Sequence, residues 1–259
     1  MINVIEEHIV ALEDMKKYPE TLYFLGDHGL IQRPKVSIVG TRRPSNYTKN
    51  MTHQLAKSLA TRGVVVVSGA AMGVDAIAHT GAGAENTIAV VANSLDIRYP
   101  SVNRFLIESI EQRGLVLSQF PASFKARAWS FVVRNELVVA LGDVLIVTEA
   151  DEESGSMRSV EYALKMGKEI YVLPHNIDES RGTNRLLEAG LAKPIYDIEK
   201  FAKSYGMIPK DESIVKDEFF YFCQTSPTFD DAVAKFESRV YEAELEGMIM
   251  IENGLVRLA

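Results

Sequence analysis

Apolar runs and helical stretches alternate through most of the chain. Val64 to Val67 are four consecutive β-branched residues, apolar on both faces, as in a strand buried inside a parallel sheet. Ser68-Gly69 ends the run, and a helical pattern opens at Met72-Gly73-Val74-Asp75. Val36 to Val39 is an earlier core strand, followed by a helix over Tyr47 to Arg62 that stops at Gly63. Thr87–Ala92, Leu115–Ser118, Asp143–Thr148 and Glu169–Leu173 read as further strands. Helices fall over Asn103–Arg113, up to Leu141, and from the Ser154 turn to Met166. This alternation predicts an α/β protein with a doubly wound parallel sheet. Right-handed crossovers then gather the loops after the strands on one edge. Those loops are Gly40–Ser45, Ser68–Met72, Asn93–Asp96, Gln119–Ala128, Glu149–Met157 and Pro174–Gly182.

The flanks read differently. Residues 1–35 look like a short helical lead-in: Tyr18-Pro19-Glu20 stops a first helix, and Leu22 to Leu25 with Gly26-Asp27 gives a short strand and turn. Residues 36–205 form the sheet domain, and a boundary is expected near Lys203–Ser213. Residues 211–259 read as a small separate domain with helices over Phe219–Gln224, after a Ser226-Pro227-Thr228 cap, and over Glu237–Glu246. A hairpin turning at Asn253-Gly254 follows. Three helices and a hairpin make a winged-helix pattern.

Charge sharpens this division. The chain of 259 residues carries a formal net charge of −7. Residues 1–210 hold 24 basic and 24 acidic side chains, whereas residues 211–259 hold 4 and 11. A neutral sheet domain can still carry a basic groove, because phosphate affinity depends on local placement. The would-be recognition helix of the tail has four acids against Arg239 and would repel phosphates, so it reads as a protein-contact or packing module. Cys223 is the only cysteine, which excludes an internal disulfide or a cysteine metal cluster and suits a reducing cytoplasm. No apolar run approaches the length of a membrane span, and the N-terminus has no basic signal region, so neither a span nor a secretory signal is expected.

Candidate chemistry concentrates in the loops. Arg42 and Arg43 follow a core strand directly, where open α/β sheets bind ligands, and guanidinium groups there suit phosphate; a solvated loop pair is the plain alternative. Ser68-Gly69 and Ser154-Gly155-Ser156-Met157 each open a helix with small residues, a setting for anions on free N–H groups. A merely tight turn is the alternative at Gly69. Phe124 to Asn135 interleaves Lys125, Arg127 and Arg134 with Phe124, Trp129 and Phe131, the mixture that single-stranded nucleic acid uses for stacking and charge; the alternative is the buried start of a helix. The Gly-x-Gly-x-x-Gly and P-loop spacings are absent, which argues against NAD chemistry and ATP hydrolysis. Asp75 and His79 read as a solvated helical pair, and Glu149 with Asp151, Glu152 and Glu153 as helix N-terminal charge. No metal or cofactor is expected.

The ordered set of motifs resembles the DNA processing protein A family (DprA, also called Smf). Tyr18-Pro19, Leu22 to Gly26, Val36 to Arg42, Ser68 to His79, Tyr99-Pro100 with Asn103-Arg104, Phe131 with Arg134-Asn135, Ser154 to Met157, Val172 to Pro174 and Gly182 to Asn184 carry the resemblance over about residues 18–200. It implies an extended Rossmann-like, mostly parallel sheet with a small C-terminal winged-helix-like domain. It also implies a non-enzymatic, cytoplasmic homodimer that binds and protects single-stranded DNA and hands it to the RecA recombinase during natural transformation. The site residues it implies are Gly40, Thr41, Arg42, Arg43, Ser68, Gly69, Asn93, Arg104, Phe131, Arg134, Asn135, Ser154, Gly155, Ser156 and Met157. Where that family often has a basic residue after Arg-Asn, this chain has Glu136, and no separate N-terminal helical domain is expected ahead of the sheet. Rossmann relatives that cleave nucleoside monophosphates are the rival at fold level; their Gly-Gly-x-Gly-Thr core is replaced here by Ser154 to Met157.

Overall fold

The structure is a computed structural model that describes residues 2–207, 218–223, 225–245, 248–252 and 254–258. Part of the boundary expected at Lys203–Ser213 lies outside these residues, as do Asn253 of the hairpin turn and the helix ends at Gln224 and Glu246. Contacts divide the chain into two compact units, Met1–Pro209 and Lys210–Ala259.

The larger unit holds nine strands: β1 (Asn3–Val4), β2 (Tyr23–Gly26), β3 (Lys35–Val39), β4 (Val65–Ser68), β5 (Thr87–Val90), β6 (Leu115–Ser118), β7 (Leu145–Val147), β8 (Ile170–Val172) and β9 (Lys193–Pro194). They make one sheet in the order β1-β2-β6-β5-β4-β3-β7-β8-β9. The seven strands from β6 to β9 run parallel; β2 is antiparallel to β6, and β1 to β2. The helices are α1 (Asn46–Ala60), α2 (Val74–Ala82), α3 (Arg104–Arg113), α4 (Ala128–Leu141), α5 (Gly155–Lys165), α6 (Arg181–Glu188) and α7 (Ile198–Lys203).

The valine run explains the layering. Val64 and Val66 face a core shared with Leu55 and Leu59 of α1. Val65 and Val67 face the opposite core, with Leu137 and Leu141 of α4 and Val160 of α5. All four are fully buried, so each face of the strand has its own apolar layer. Ser37 Oγ, on β3, enters this interior with a partner, donating to the Val138 carbonyl of α4 at 2.6 Å.

The lead-in corrects the expected division at residue 36. Its helix is absent; Val10–Leu12 is a single 3-10 turn, while β1 and β2 extend the sheet itself. Tyr23 pairs with Ser118 and Gly26 with Leu115, a long-range pairing that local pattern does not announce. A Cβ on Gly26 would collide with the Gly114 carbonyl, which is why the end of β2 takes glycine at φ +98°.

The smaller unit contains α8 (Glu218–Cys223), α9 (Phe229–Phe236) and α10 (Ser238–Leu245), then β10 (Ile249–Glu252) and β11 (Leu255–Leu258) paired antiparallel. Thr228 Oγ1 caps α9 by accepting the Asp231 N–H at 3.1 Å, as the sequence predicts. Phe219, Cys223, Ala232, Val240, Ile249 and Val256 form its core.

Candidate nucleic-acid interface

β3 is where the sheet order reverses: β4 follows it on one side and β7 on the other. The crevice beyond the strand ends at such a point is the usual ligand seat of open α/β sheets. A cavity of about 430 Å³ occupies it here, walled by Gly40, Thr41 and Arg42 after β3, by Phe131, Arg134 and Asn135 of α4, and by Ser154, Gly155 and Ser156 at the start of α5.

Phe131 is the hub of this cleft. The Arg42 guanidinium lies 5.4 Å from its ring centroid and that of Arg134 lies 5.8 Å away. Tyr99 tilts against it at 6.2 Å, in a smaller recess that also takes in Asn93 and Gly69. Cations on an aromatic ring attract it by its quadrupole, which fixes both groups without consuming the cation's hydrogen bonds. Arg42 and Arg43 are solvent-accessible and form no ion pair among the described residues. At the facing wall, Ser154 is the N-cap of α5 but makes no capping hydrogen bond, and its buried Oγ has no partner. No acid lies in the first turn of α5, and a Cβ on Gly155 would meet nothing within 4 Å. The N-terminus of this helix thus has no capping side chain and no first-turn carboxylate of its own.

The turn after β4 behaves in the opposite way, which corrects its reading as a phosphate seat. Ser68 is fully buried and donates to the Ile38 carbonyl at 2.7 Å. The Ala71 N–H donates to Asp75 Oδ2 at 3.3 Å, and the Ala70 N–H to His79 Nε2 at 3.3 Å. The group that fills that turn is the chain's own Asp75 carboxyl. Gly69 is needed for close approach: a Cβ there would clash with the Arg134 guanidinium and with Asp75 Oδ2. Asp75 and His79 are buried, not solvated, and His79 is fully so. Burial pushes the Asp75 carboxyl up against the opposing pull of Arg134. Burial, and then the Arg134 charge, hold His79 down at about 3. Thr87 Oγ1 donates to the Val66 carbonyl, so His79 Nδ1–H donates to Thr87 at 2.6 Å and the ring is neutral.

Several expected contacts are occupied elsewhere. Arg134 is 5% exposed and donates to the carbonyls of Gly69 and Val90, at 2.9 Å for the latter; it forms the floor of the cleft, not its rim. The Asn93 amide donates to Ser94 and Ile97 carbonyls. Arg104 pairs with Glu108 at 2.9 Å and lies outside the cavity wall, as do Arg43 and Ser68. Met157 packs against the core under α5. Glu149 does not serve a helix N-terminus in its own segment; its Oε2 accepts from Ser45 N and Oγ at 3.0 and 2.9 Å and ties the two cleft loops together. Glu136 faces away from the cleft and accepts the Lys16 N–H at 2.7 Å, anchoring the lead-in to α4. Trp129 is half exposed, not the buried start of a helix. Ala71, Asp75 and Tyr99 belong to the site but were not among the residues the sequence nominated. For Asp75 a signal existed, since it sits in the first turn of a helix otherwise built from Val74, Ala76, Ile77 and Ala78.

Fold and cleft together define an open α/β protein with an arginine- and aromatic-lined seat at its topological switch point. Residues 5–206 match the model of the DNA recombination-mediator protein A family, and the chain belongs to that family. It is 36% identical over 199 residues to protein Smf of Synechocystis sp., covering 74% of this chain and 50% of that protein. To the DNA processing protein DprA of Bacillus subtilis it is 32% identical over 186 residues, covering 70% and 62%. The chain thus spans half to three fifths of the length of these curated relatives. Among solved structures, DNA processing protein A of Helicobacter pylori, described in its single-stranded DNA binding mode, superposes with a TM-score of 0.77 at 44% identity, over 78% of this chain and 94% of that one. DprA of Streptococcus pneumoniae does so with a TM-score of 0.73 at 29% identity, over 80% and 75%. No helix among the described residues is long and apolar enough to cross a membrane.

Proposed function

We propose that this chain is a non-enzymatic single-stranded DNA-binding protein whose seat is the cleft between β3, α4 and α5. The observation that carries this reading is the meeting of three elements in one cavity: Arg42, which joins no ion pair among the described residues, the Phe131 ring beside it, and the uncapped N-terminus of α5. An unpaired guanidinium and free N–H groups suit phosphates. The aromatic face suits a base of any sequence, because every base stacks. The kinship to a protein described with single-stranded DNA supports the same ligand.

Within this reading the protein works in the cytoplasm as a homodimer, protects incoming DNA during natural transformation, and hands it to the RecA recombinase. Two linked seats would raise the effective concentration on a long strand. The acidic smaller unit serves protein contact or packing.

Anisotropy of a labelled oligothymidylate, titrated across several salt concentrations beside a duplex of equal length, tests the seat. The single strand is expected to bind and the duplex to bind more weakly. Arg42→Ala should lower affinity and reduce the salt slope by about 0.7. Absence of single-strand binding at low salt overturns the reading; release of free base from a nucleotide by the purified protein replaces it with hydrolase chemistry.

A further inference from the structure

α4 has two sides. Ala128, Phe131, Val132 and Asn135 face the cleft. Trp129, Val133 and Glu136 face a separate open groove of about 590 Å³, shared with Tyr18, Tyr23 and Phe120. A helix with its side chains is about 10–12 Å across, so the two sides are about one helix width apart.

Trp129 is 51% exposed, a large apolar ring in water at the first turn of α4. It is not loose. Phe120 and Phe124 stack at 4.4 Å and 10° behind it, and the indole stands against both at 5.7 and 5.5 Å, near right angles. The loop beneath is pinned in turn, since the Phe124 carbonyl accepts from Ser94 N at 3.0 Å and the Ser123 N–H donates to Asp96. The ring is thus held in advance, and little freedom is left to lose on stacking.

The segment that leads into it is basic. Lys125 and Arg127 are exposed beside Trp129 and join no ion pair among the described residues. Several other cations are already paired, Arg104 with Glu108, Arg158 with Glu161 and Lys17 with Glu20, while Arg42 and Arg43 on the cleft side are not, among the described residues. On the far side of the cleft, immediately before α5, the loop is acidic, with Asp151, Glu152 and Glu153 exposed. A polyanion leaving the cleft is repelled there and attracted towards the Lys125–Arg127 loop.

We infer that Trp129 is a second nucleobase platform, which takes a base of the same single strand after it passes from Phe131 over the first turn of α4, with Lys125 and Arg127 holding the phosphates between. This inference rests on the proposed single-stranded DNA binding and adds a direction and a length requirement to it.

Trp129 is the only tryptophan of the chain, so intrinsic emission reads this one place. The full chain is titrated with labelled oligothymidylates of about 2 and about 16 nucleotides; at about 3.4 Å per nucleotide the shorter cannot span the helix width and the longer can. Anisotropy and tryptophan emission are followed together. The long strand should quench Trp129 and the short one should bind in the cleft without quenching. Trp129→Ala should weaken the long strand roughly 5- to 100-fold and leave the short one unchanged, as expected for one lost base stack. Trp129→Phe should restore most of the loss, which separates stacking from misfolding. Anisotropy showing that the long strand binds while wild-type emission stays constant overturns the platform and leaves the cleft standing. A change in emission with protein concentration in the absence of DNA also overturns it, by assigning the indole to contact between copies. No binding of either oligonucleotide sinks the cleft and the platform together.

Discussion

The turns after β4 and β7 look alike along the chain and act as opposites in the folded molecule. Each leads from a buried strand through Ser-Gly or Ser-Gly-Ser into a helix. In α2 the second helical position is Asp75, which folds back to take the Ala71 N–H and sits against the Arg134 floor. In α5 the same position is Ser156, and the Gly155 side of the turn is open. One turn is filled by its own carboxyl and the other leaves room for a visitor. A helix N-terminus is therefore a ligand site only when the chain has not already filled it.

Removing the internal carboxyl should have the largest effect. Asp75→Asn removes the carboxyl that accepts the Ala71 N–H and opposes the buried Arg134 charge, and about 1–3 kcal/mol of stability should be lost in a urea denaturation. Retention of wild-type stability would mean that the turn is not closed by charge.

Acid tests the same turn through His79. Its folded value of about 3 lies below the ordinary one, so the unfolded chain takes up a proton first. Stability should then fall as pH drops from about 6.5 towards 3, by up to about 1.4 kcal/mol per unit from this one group. His79→Gln should remove that part of the slope; identical slopes in the two proteins would place the imidazole in solvent.

On the open side the effects should appear in binding. Arg42→Ala should lose about 1.5–3 kcal/mol of affinity for a single strand, near 10- to 100-fold, with an unchanged melting temperature. Ser156→Asp copies the closed turn onto the open one. It should cost about tenfold in affinity while the added N-terminal carboxylate leaves the fold intact or gains a few tenths of a kcal/mol. Gly155→Asp, where a Cβ meets nothing, should act in the same direction without crowding. The smallest effect belongs to Arg104→Ala. Its charge is already matched by Glu108 on an exposed helix face, and less than a threefold change is expected.

Much of this was legible along the chain, for physical reasons. Four consecutive valines can be buried on both sides only inside a sheet covered on both faces, and the loops after such strands share an edge. Arg42, Phe131 and Ser154 to Ser156 followed from that placement. What was lost depended on pairings that local pattern does not encode. β2 joins the sheet by pairing with β6, about ninety positions further on, so residues 1–35 read as a lead-in. Arg134 is chemically the twin of Arg42. Only the packing of α4 against β4 and β5 turns it inward to the Gly69 and Val90 carbonyls. Asp75 was visible but misplaced, because a helix with so few polar positions has no wet face on which to put it.

The margins of the large sheet have a consequence of their own. Its outermost strands, β1 and β9, are two residues long each, and β9 consists of a lysine and a proline. Proline offers no N–H to a neighbouring ladder, and lysine on an edge discourages a second sheet from docking. Copies gathered side by side on one long polymer meet at high local concentration, the condition under which open edges template aggregation. Here there is almost no ladder to extend, so the sheet margins give a second sheet little to pair with.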